Sequence, residues 1–175
     1  MNTPIHNLQI EQAVLAALMT VSSSYSQVEN LLTEEDFHAT RHKLIFQAIV
    51  DLDSKNSPYD AVLVNQWLEM RNYSEAAGGE QYIMQSLGDA PSSFYNLVSY
   101  AEKLKDLRTC RQVEAEAFKI IQQARQLTVS RGELVQNAQA AFADLNTESA
   151  SESLFHIHDA ASNTFHAISR MTEAA

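Results

Sequence analysis

The stretch from Phe94 to Gln126 contains no glycine or proline, and this uninterrupted run constrains the fold more than any other feature of the sequence. Apolar residues recur along it at intervals of three and four, which is the spacing of one face of an α-helix. They are Leu97, Tyr100, Ala101, Leu104, Leu107, Ala115, Phe118, Ile121 and Ala124. At 1.5 Å per residue such a helix is about 50 Å long. A body of about 90 residues is clearly narrower, so we expect the helix to extend beyond residues 1–91.

A second helix is predicted to fold back on the first, so that residues 92–146 form a long antiparallel helical hairpin. The turn falls at residues 127–129. Ser130 and Glu133 have the spacing of a capping box, which marks the start of the returning helix. The apolar positions of that helix are Leu134, Val135, Ala138, Ala141, Phe142 and Leu145.

The hairpin is expected to be a self-association element. Two helices packed side by side cannot cover both of their apolar flanks, so a second copy of the chain or another protein is the natural cover. We therefore predict a dimer formed through the hairpin. The residues predicted to make this contact are Phe118, Ile121, Leu134, Ala138, Phe142 and Leu145.

Residues 1–91 are predicted to form a helical globular body, because no segment shows the alternation of polar and apolar residues that a strand requires. About five short helices are expected. They run over Leu8–Met19, around Val28–Leu32, over Arg41–Ser54 with Thr40 as N-cap, after the N-cap Asp60, and around Tyr82–Leu87. Phe37 and Trp67 are expected in the core, with an exposed Trp67 as the alternative. The predicted fold class is all-α, a compact multi-helix domain followed by the hairpin.

The last part of the chain is predicted to be a tether and a separate helix. Residues 147–155 are mostly small and polar, which is typical of a flexible linker. Residues 156–175 contain an amphipathic stripe that either docks back on the chain or docks on a partner. The stripe consists of Ile157, Ala161, Phe165, Ile168 and Met171.

The charge distribution argues against a DNA-binding face. The net charge is −10, and residues 1–100 carry 4 basic and 12 acidic side chains, whereas residues 101–131 carry 7 and 4. An acidic body repels phosphates. Arg108 and Arg111 share one side of the long helix with Tyr100, where they could contact a partner or flank the core. DNA contact is therefore expected only through a larger assembly.

Cysteine and hydropathy place the chain in the cytoplasm. Cys110 is the single cysteine, so no disulfide can form within the chain. It lies inside the long helix and is expected to be a buried small side chain. No apolar run reaches membrane-spanning length, and the N-terminus lacks the core of a signal peptide.

No catalytic, cofactor or metal site is evident. A phosphate-binding P-loop requires a lysine followed by serine or threonine, and no lysine in this chain has that neighbour. The pairs His38 with His42 and His156 with His158 could ligate a metal, but neither pair has an evident third ligand; surface or capping histidines are expected instead. The acidic run Glu34–Asp36 could do acid–base work, but it fits the start of a helix better.

Six segments, taken together, resemble the N-terminal domain of DnaB-type replicative helicases. They are EQAVLAAL at 11–18, EDF at 35–37, HKLIFQAI at 42–49, PYD at 58–60, GGEQYI at 78–83 and PSSFYNLVSYA at 91–101. Their order and spacing hold over roughly residues 4–111. Two positions depart from the family pattern: Ala16 stands where the family usually has glycine, and Tyr59 where it usually has isoleucine. Divergence of this kind suggests a phage or plasmid version.

The resemblance implies an assembly and partner-binding module without catalysis of its own. In the family this region forms a collar in which hairpins pair into dimers and three dimers build a ring. The collar binds primase and sometimes a helicase loader, and the linker helix docks on a neighbouring subunit's motor domain. The chain ends where the family's ATPase domain would begin, so a fragment and a stand-alone relative are both expected alternatives.

Two other functions compete with this one. An unrelated helical adaptor or regulator of replication could dimerise through the same hairpin. A small helical enzyme could use histidines or carboxylates, and a pocket in which several titratable groups converge would favour it.

The missing P-loop generates a direct test. The purified chain is expected to show no ATP turnover above a buffer blank, because these residues contain no lysine placed to hold the β- and γ-phosphates. A coupled phosphate-release assay measures this. Turnover that copurifies with the chain through successive columns would show that a nucleotide site has been missed.

Overall fold

The computed structural model of the protein describes residues 5–21, 23–86, 94–126, 130–141 and 143. Within these residues the chain is helical or in turns and contains no strand, which confirms the all-α prediction. The chain divides into two compact units, Met1–Arg111 and Gln112–Ala175.

Six α-helices are present in the described residues. They are α1 (Leu8–Thr20), α2 (Thr40–Ser54), α3 (Ala61–Met70), the single turn α4 (Gly79–Gln81), α5 (Leu97–Gln126) and α6 (131–141). A π-helical segment, Tyr82–Ser86, continues α4 directly. Single 3₁₀ turns occupy Ser24–Gln27, Glu34–Asp36 and Phe94–Asn96. The long helix begins at Leu97, after the 3₁₀ turn, and is helical through Gln126, the last residue described before 130.

Two of the helices begin with the side-chain caps that their sequences favour. The Asn7 side chain accepts hydrogen bonds from the backbone N–H groups of Gln9 and Ile10 at the start of α1. Asp60 accepts from Val62 and Leu63 at 2.9 and 3.0 Å at the start of α3, which confirms its predicted role. Each cap satisfies donors that have no partner inside the helix.

The predicted cap of α2 is wrong. Thr40 is the first residue of the helix, Ala39 occupies the N-cap position, and neither side chain caps it. The Glu11 carboxylate of α1 instead accepts from the backbone N–H groups of His38 and Ala39, at 3.0 and 3.2 Å. A residue 27 positions earlier than His38 therefore satisfies the two backbone donors that immediately precede the helix.

The short helix predicted around Val28–Leu32 is also absent. Those residues form turns, in which the backbone N–H groups of Leu31 and Leu32 both donate to the carbonyl of Val28. The apolar spacing was nevertheless informative, because all three side chains are buried. Core packing sets the burial pattern here without a regular helix.

The core of the first unit lies between α1, α2, α3 and the start of α5. Its largest fully buried apolar side chains are Phe37, Phe46, Leu15, Leu18, Ile45, Ile49, Leu68, Ile83, Leu97 and Leu104. Phe37 contacts Phe46 with ring centroids 4.9 Å apart. Trp67 is buried as predicted, so the exposed alternative is wrong. Its indole N–H donates to Asp51, and Arg71 lies 3.9 Å above its ring.

A buried polar network connects three segments of this core. Nδ1 of His42 lies 2.6 Å from Oε2 of Glu11, and Nε2 lies 2.6 Å from the Tyr82 hydroxyl. Because a carboxylate only accepts, Nδ1–H is the donor; in the neutral ring, Nε2 then accepts from the Tyr82 hydroxyl. The Gln12 amide donates to the same hydroxyl oxygen at 3.1 Å. Glu11 and His42 are both buried, so the bonds hold α1, α2 and the π-helical segment together.

The network determines the ionisation of Glu11. Burial alone would raise the pKa of its carboxyl group, but the hydrogen bonds from His42 and from the backbone of His38 and Ala39 outweigh burial. The pKa of Glu11 is therefore held below its ordinary value of 4.5. A carboxylate with three donors is stable as the anion even without solvent.

Removing the Glu11 charge is expected to destabilise the first unit. Glu11→Gln replaces an oxygen acceptor by an amide donor that faces N–H groups, so the free energy of unfolding should fall by about 2–3 kcal/mol at pH 7. Because the folded pKa is depressed, the stabilisation is present above about pH 4.5 and is lost as the pH falls through the lower folded pKa.

Urea unfolding at pH 7 and at pH 3 measures this effect. The exposed carboxylate of Glu75 provides the control, and Glu75→Gln should change the unfolding free energy by less than about 0.5 kcal/mol. A difference between the wild type and Glu11→Gln that is as large at pH 3 as at pH 7 would contradict the ionic role of Glu11.

Candidate interaction surface

The second unit contains the second half of α5 and the returning helix α6. Ser130 and Glu133 form the predicted capping box at the start of α6: the Ser130 N–H donates to Glu133 at 2.8 Å, and the Glu133 N–H donates to the Ser130 hydroxyl oxygen at 3.3 Å. The bond from the Ser130 N–H to the Glu133 carboxylate, together with a contact from the Ser130 hydroxyl, holds the pKa of Glu133 below its ordinary value. The predicted turn at 127–129 lies outside the described residues.

One side of α5 faces the returning helix. The Asn137 amide of α6 donates to the Gln123 side-chain oxygen at 3.4 Å. Gln112, Glu116 and Ile120 precede Gln123 at intervals of four and three, and all four side chains are half-buried. This regular spacing marks the side of α5 that lies in the hairpin.

A neighbouring side of α5 carries exposed apolar residues. Val113 is 40% exposed, Phe118 60% and Ile121 46%. At 100° per residue their mean direction lies roughly a third of a turn from the side that contains Gln123. The returning helix therefore leaves these three side chains uncovered, and they are the kind of apolar group whose burial drives association.

The returning helix α6 also has a more covered side and a more exposed side. Leu134, Ala138 and Ala141 are half-buried at intervals of four and three, whereas Val135 is 51% exposed. Two predicted contact residues, Leu134 and Ala138, thus lie on the more covered side of α6.

The other residues predicted to contact a second copy or a partner lie outside the described part of the chain. They are Phe142, Leu145, Ile157, Ala161, Phe165, Ile168 and Met171. Sequence analysis did not select Val113 and Val135. For Val135 the signal was present, because it lies seven residues before Phe142, which is a same-side spacing in a helix.

Arg108 and Arg111 contact their own unit. Arg111 donates to the backbone carbonyls of Ile5, Glu35 and Asp36, the last at 2.8 Å. Arg108 donates to the Thr33 hydroxyl at 3.2 Å and lies 3.7 Å from the buried Asp36 carboxylate. Of the two alternatives for this basic side of α5, the structure therefore favours attachment to the body.

The structure tests two further predictions, a capping role for the acidic run that contains Asp36 and a buried position for Cys110. The Asp36 carboxylate accepts from the Thr33 N–H at 2.6 Å and from its hydroxyl at 3.0 Å, which confirms a capping role for the acidic run. The prediction of a buried Cys110 is wrong, because its side chain is exposed. Residues 97, 101, 104, 108 and 111 form the side of α5 that faces the body, and Cys110 is rotated about 140° away from the middle of that side.

The histidines form no metal site in the described residues, where no group of three potential ligands occurs. His42 is buried between Glu11 and Tyr82, so the expectation of a surface position is wrong for it. His38 stacks on His6 with ring centroids 4.2 Å apart. His156 and His158 lie outside the described residues.

None of the helices that can be described is long and apolar enough to cross a membrane.

Comparison with known protein families identifies the first unit. The model of the DnaB-like helicase N-terminal domain family matches residues 3–106, which is more than half of the chain. The chain belongs to this family. The replicative DNA helicase DnaB of Pasteurella multocida is 30% identical over 110 residues, which cover 63% of this chain and 23% of that helicase. The chain thus spans less than a third of the length of the curated relatives that it matches.

Solved structures show the same fold. The crystal structure of the DnaB N-terminal domain from Mycobacterium tuberculosis matches with a TM-score of 0.73 and 26% identity, over 81% of this chain and 99% of that one. The structure of a DnaB-like replicative helicase and its interactions with primase matches with a TM-score of 0.63 and 21% identity, over 81% of this chain and 31% of that one. The second likeness concerns the fold alone.

Three of the sequence motifs of the DnaB N-terminal domain meet in the buried network. Glu11 belongs to the segment at 11–18, His42 to the segment at 42–49 and Tyr82 to the segment at 78–83. Sequence analysis used these segments for recognition but did not predict their contact. The network thus brings three segments that lie far apart in the sequence into contact in this chain.

The capping box of α6 can be tested by itself. Ser130→Ala removes the hydroxyl that accepts from Glu133, so amide exchange at Glu133 and Leu134 should become about fivefold faster. Ser130→Asn keeps a side-chain acceptor and should restore slow exchange. Equal exchange rates in all three chains would show that the box does not stabilise the start of the helix.

Proposed function

We propose that the chain is the assembly and partner-binding part of a hexameric replicative DNA helicase. In this proposal the hairpin pairs two copies into a dimer, and three dimers form the collar. The chain itself carries out no catalysis, and it meets DNA only through the full-length assembly in the cytoplasm. Membership of the DnaB N-terminal domain family supports the replicative role.

The observation that carries the proposal is the exposed apolar side of α5. Phe118 and Ile121, about 60° apart around the helix, are 60% and 46% exposed within one copy of the chain. Full burial of one large apolar side chain stabilises an interface by roughly 1.5–3 kcal/mol. A two-fold contact uses every such residue twice, because the same patch is present on both copies. Burial of Phe118 and Ile121 alone would therefore give a substantial stabilisation.

Primase, a helicase loader or both are the proposed partners of the collar. The structural neighbour that shares this fold was solved as a DnaB-like replicative helicase together with its interactions with primase. The paired hairpins would present a composite surface that a single copy does not have. Recruitment would then depend on assembly, so a monomeric variant should bind primase more weakly.

The final segment completes the proposal. Residues 147–155 would act as the tether, and 156–175 as a linker helix whose residues Ile157, Ala161, Phe165, Ile168 and Met171 dock on a neighbouring motor domain. Amphipathic helices of about 15 residues are marginal in water. Such a helix would gain its stability from the groove that receives it.

Replacing an exposed apolar residue of α5 by a charged one is expected to dissociate the dimer. Phe118→Asp would place two unpaired carboxylates in the contact, so the dissociation constant should rise by about 100-fold or more. Light scattering over a concentration series measures this. Thr109→Asp is the matched control, because Thr109 is exposed on the opposite side of the same helix.

The results that support pairing through this side of α5 differ from those that rule it out. A dimeric Thr109→Asp chain and a monomeric Phe118→Asp chain with unchanged helix content support pairing through this side of α5. A wild-type chain that is monomeric at millimolar concentration, or a Phe118→Asp chain that dimerises as tightly as the wild type, would rule the pairing out.

A further inference from the structure

A half-open cleft lies in the first unit, where the end of α1, the end of α2 and the start of α3 meet. Its volume is about 340 Å³, which is within the range of pockets that bind small groups. The buried side chains of Leu18 and Tyr59 line it together with Met19 and Pro58. Because Leu18 has no exposed surface, the apolar surface that an occupant can contact belongs to Met19, Pro58 and Tyr59.

Two carboxylates line the same cleft. Asp53 is half-buried near the end of α2, and Asp60 is the N-cap of α3. Asp60 uses Oδ1 to accept from the backbone of α3. Among the residues that the structure describes, the side chain of Asp53 accepts no hydrogen bond and neither carboxylate forms an ion pair. None of the residues that line the cleft is basic.

The negative potential of the cleft affects a neighbouring side chain. Burial raises the pKa of the Tyr25 hydroxyl, and the charges of Asp53 and Glu29 raise it further. The backbone N–H of Tyr25 donates to the hydroxyl of Tyr59, which lines the cleft. The charge of Asp53 therefore raises the pKa of a tyrosine hydroxyl beside the apolar wall of the cleft.

We propose that this cleft is an anchor site for one arginine side chain of a partner protein. Arginine has an apolar stem that can lie along Met19, Pro58 and Tyr59, and a planar head that matches carboxylates bidentately. The head would supply the donors that Asp53 lacks and a counter-charge for both aspartates. Charge complementarity favours this occupant, because residues 1–100 carry 12 acidic and only 4 basic side chains.

The anchor is separate from hairpin pairing. It uses residues of the first unit, whereas the proposed dimer contact uses residues of the second. Phe118→Asp should therefore leave arginine binding unchanged, and loss of charge in the cleft should leave the dimer unchanged. Failure of one proposal is thus distinguishable from failure of the other.

Two blocked tripeptides test the anchor on the unmodified 175-residue chain. Acetyl-Leu-Arg-Leu-amide is titrated into the ¹⁵N-labelled protein, and the same peptide with citrulline in place of arginine is the isosteric uncharged probe. The arginine peptide should shift the amides of Met19, Asp53 and Tyr59 saturably at millimolar concentration. The citrulline peptide should bind at least about threefold more weakly. Equal binding of the two, or no saturable shift at these amides up to about 10 mM arginine peptide, would overturn the proposal.

Two variants locate the charge. Asp53→Asn removes the unpaired carboxylate at constant shape and should weaken the arginine peptide at least about threefold, whereas Glu75→Gln changes an exposed acid outside the cleft and should not. Unchanged affinity in Asp53→Asn would refute the role of Asp53. Should Asp53→Asn fail to fold, the two peptides on the unmodified chain still decide. A lysine peptide that binds more tightly than the arginine peptide would overturn the assignment to arginine.

Discussion

The first unit depends on a carboxylate that has no access to solvent. Glu11 accepts from the His42 ring and from two backbone N–H groups before α2. The other ring nitrogen of His42 forms a hydrogen bond with the Tyr82 hydroxyl. A buried charge without donors would be strongly unfavourable, so the three segments must assemble together or not at all. The helices of this body are therefore arranged around one satisfied polar centre as well as an apolar core.

A second set of polar contacts fastens the long helix to that body. Arg111 reaches three backbone carbonyls, and Arg108 lies beside the buried Asp36. Guanidinium groups suit this task because five N–H donors can satisfy several carbonyls at once. In the second unit, by contrast, apolar side chains such as Phe118 remain exposed. One chain thus combines a body held by buried polar contacts with a surface suited to association.

Local patterns were reliable wherever the physical cause was local. Asp60 caps α3 and Ser130 with Glu133 caps α6, because a cap needs only a side chain within three residues of the free N–H groups. Burial of Phe37 and Trp67 also followed from residue type. Errors arose where a distant residue decided: His42, expected at the surface or as a cap, is buried against Glu11 and Tyr82.

By itself the sequence determined the all-α class, the presence of a long helix over residues 97–126 and membership of the DnaB N-terminal domain family, because helix periodicity and ordered motifs are properties of the chain. Tertiary structure alone decided which sides of those helices are covered. Cys110 is exposed and His42 buried because of how α5 and α2 are rotated in their unit. Rotation depends on contacts between residues far apart in the chain, such as Arg111 with Ile5, and periodicity carries no information about them.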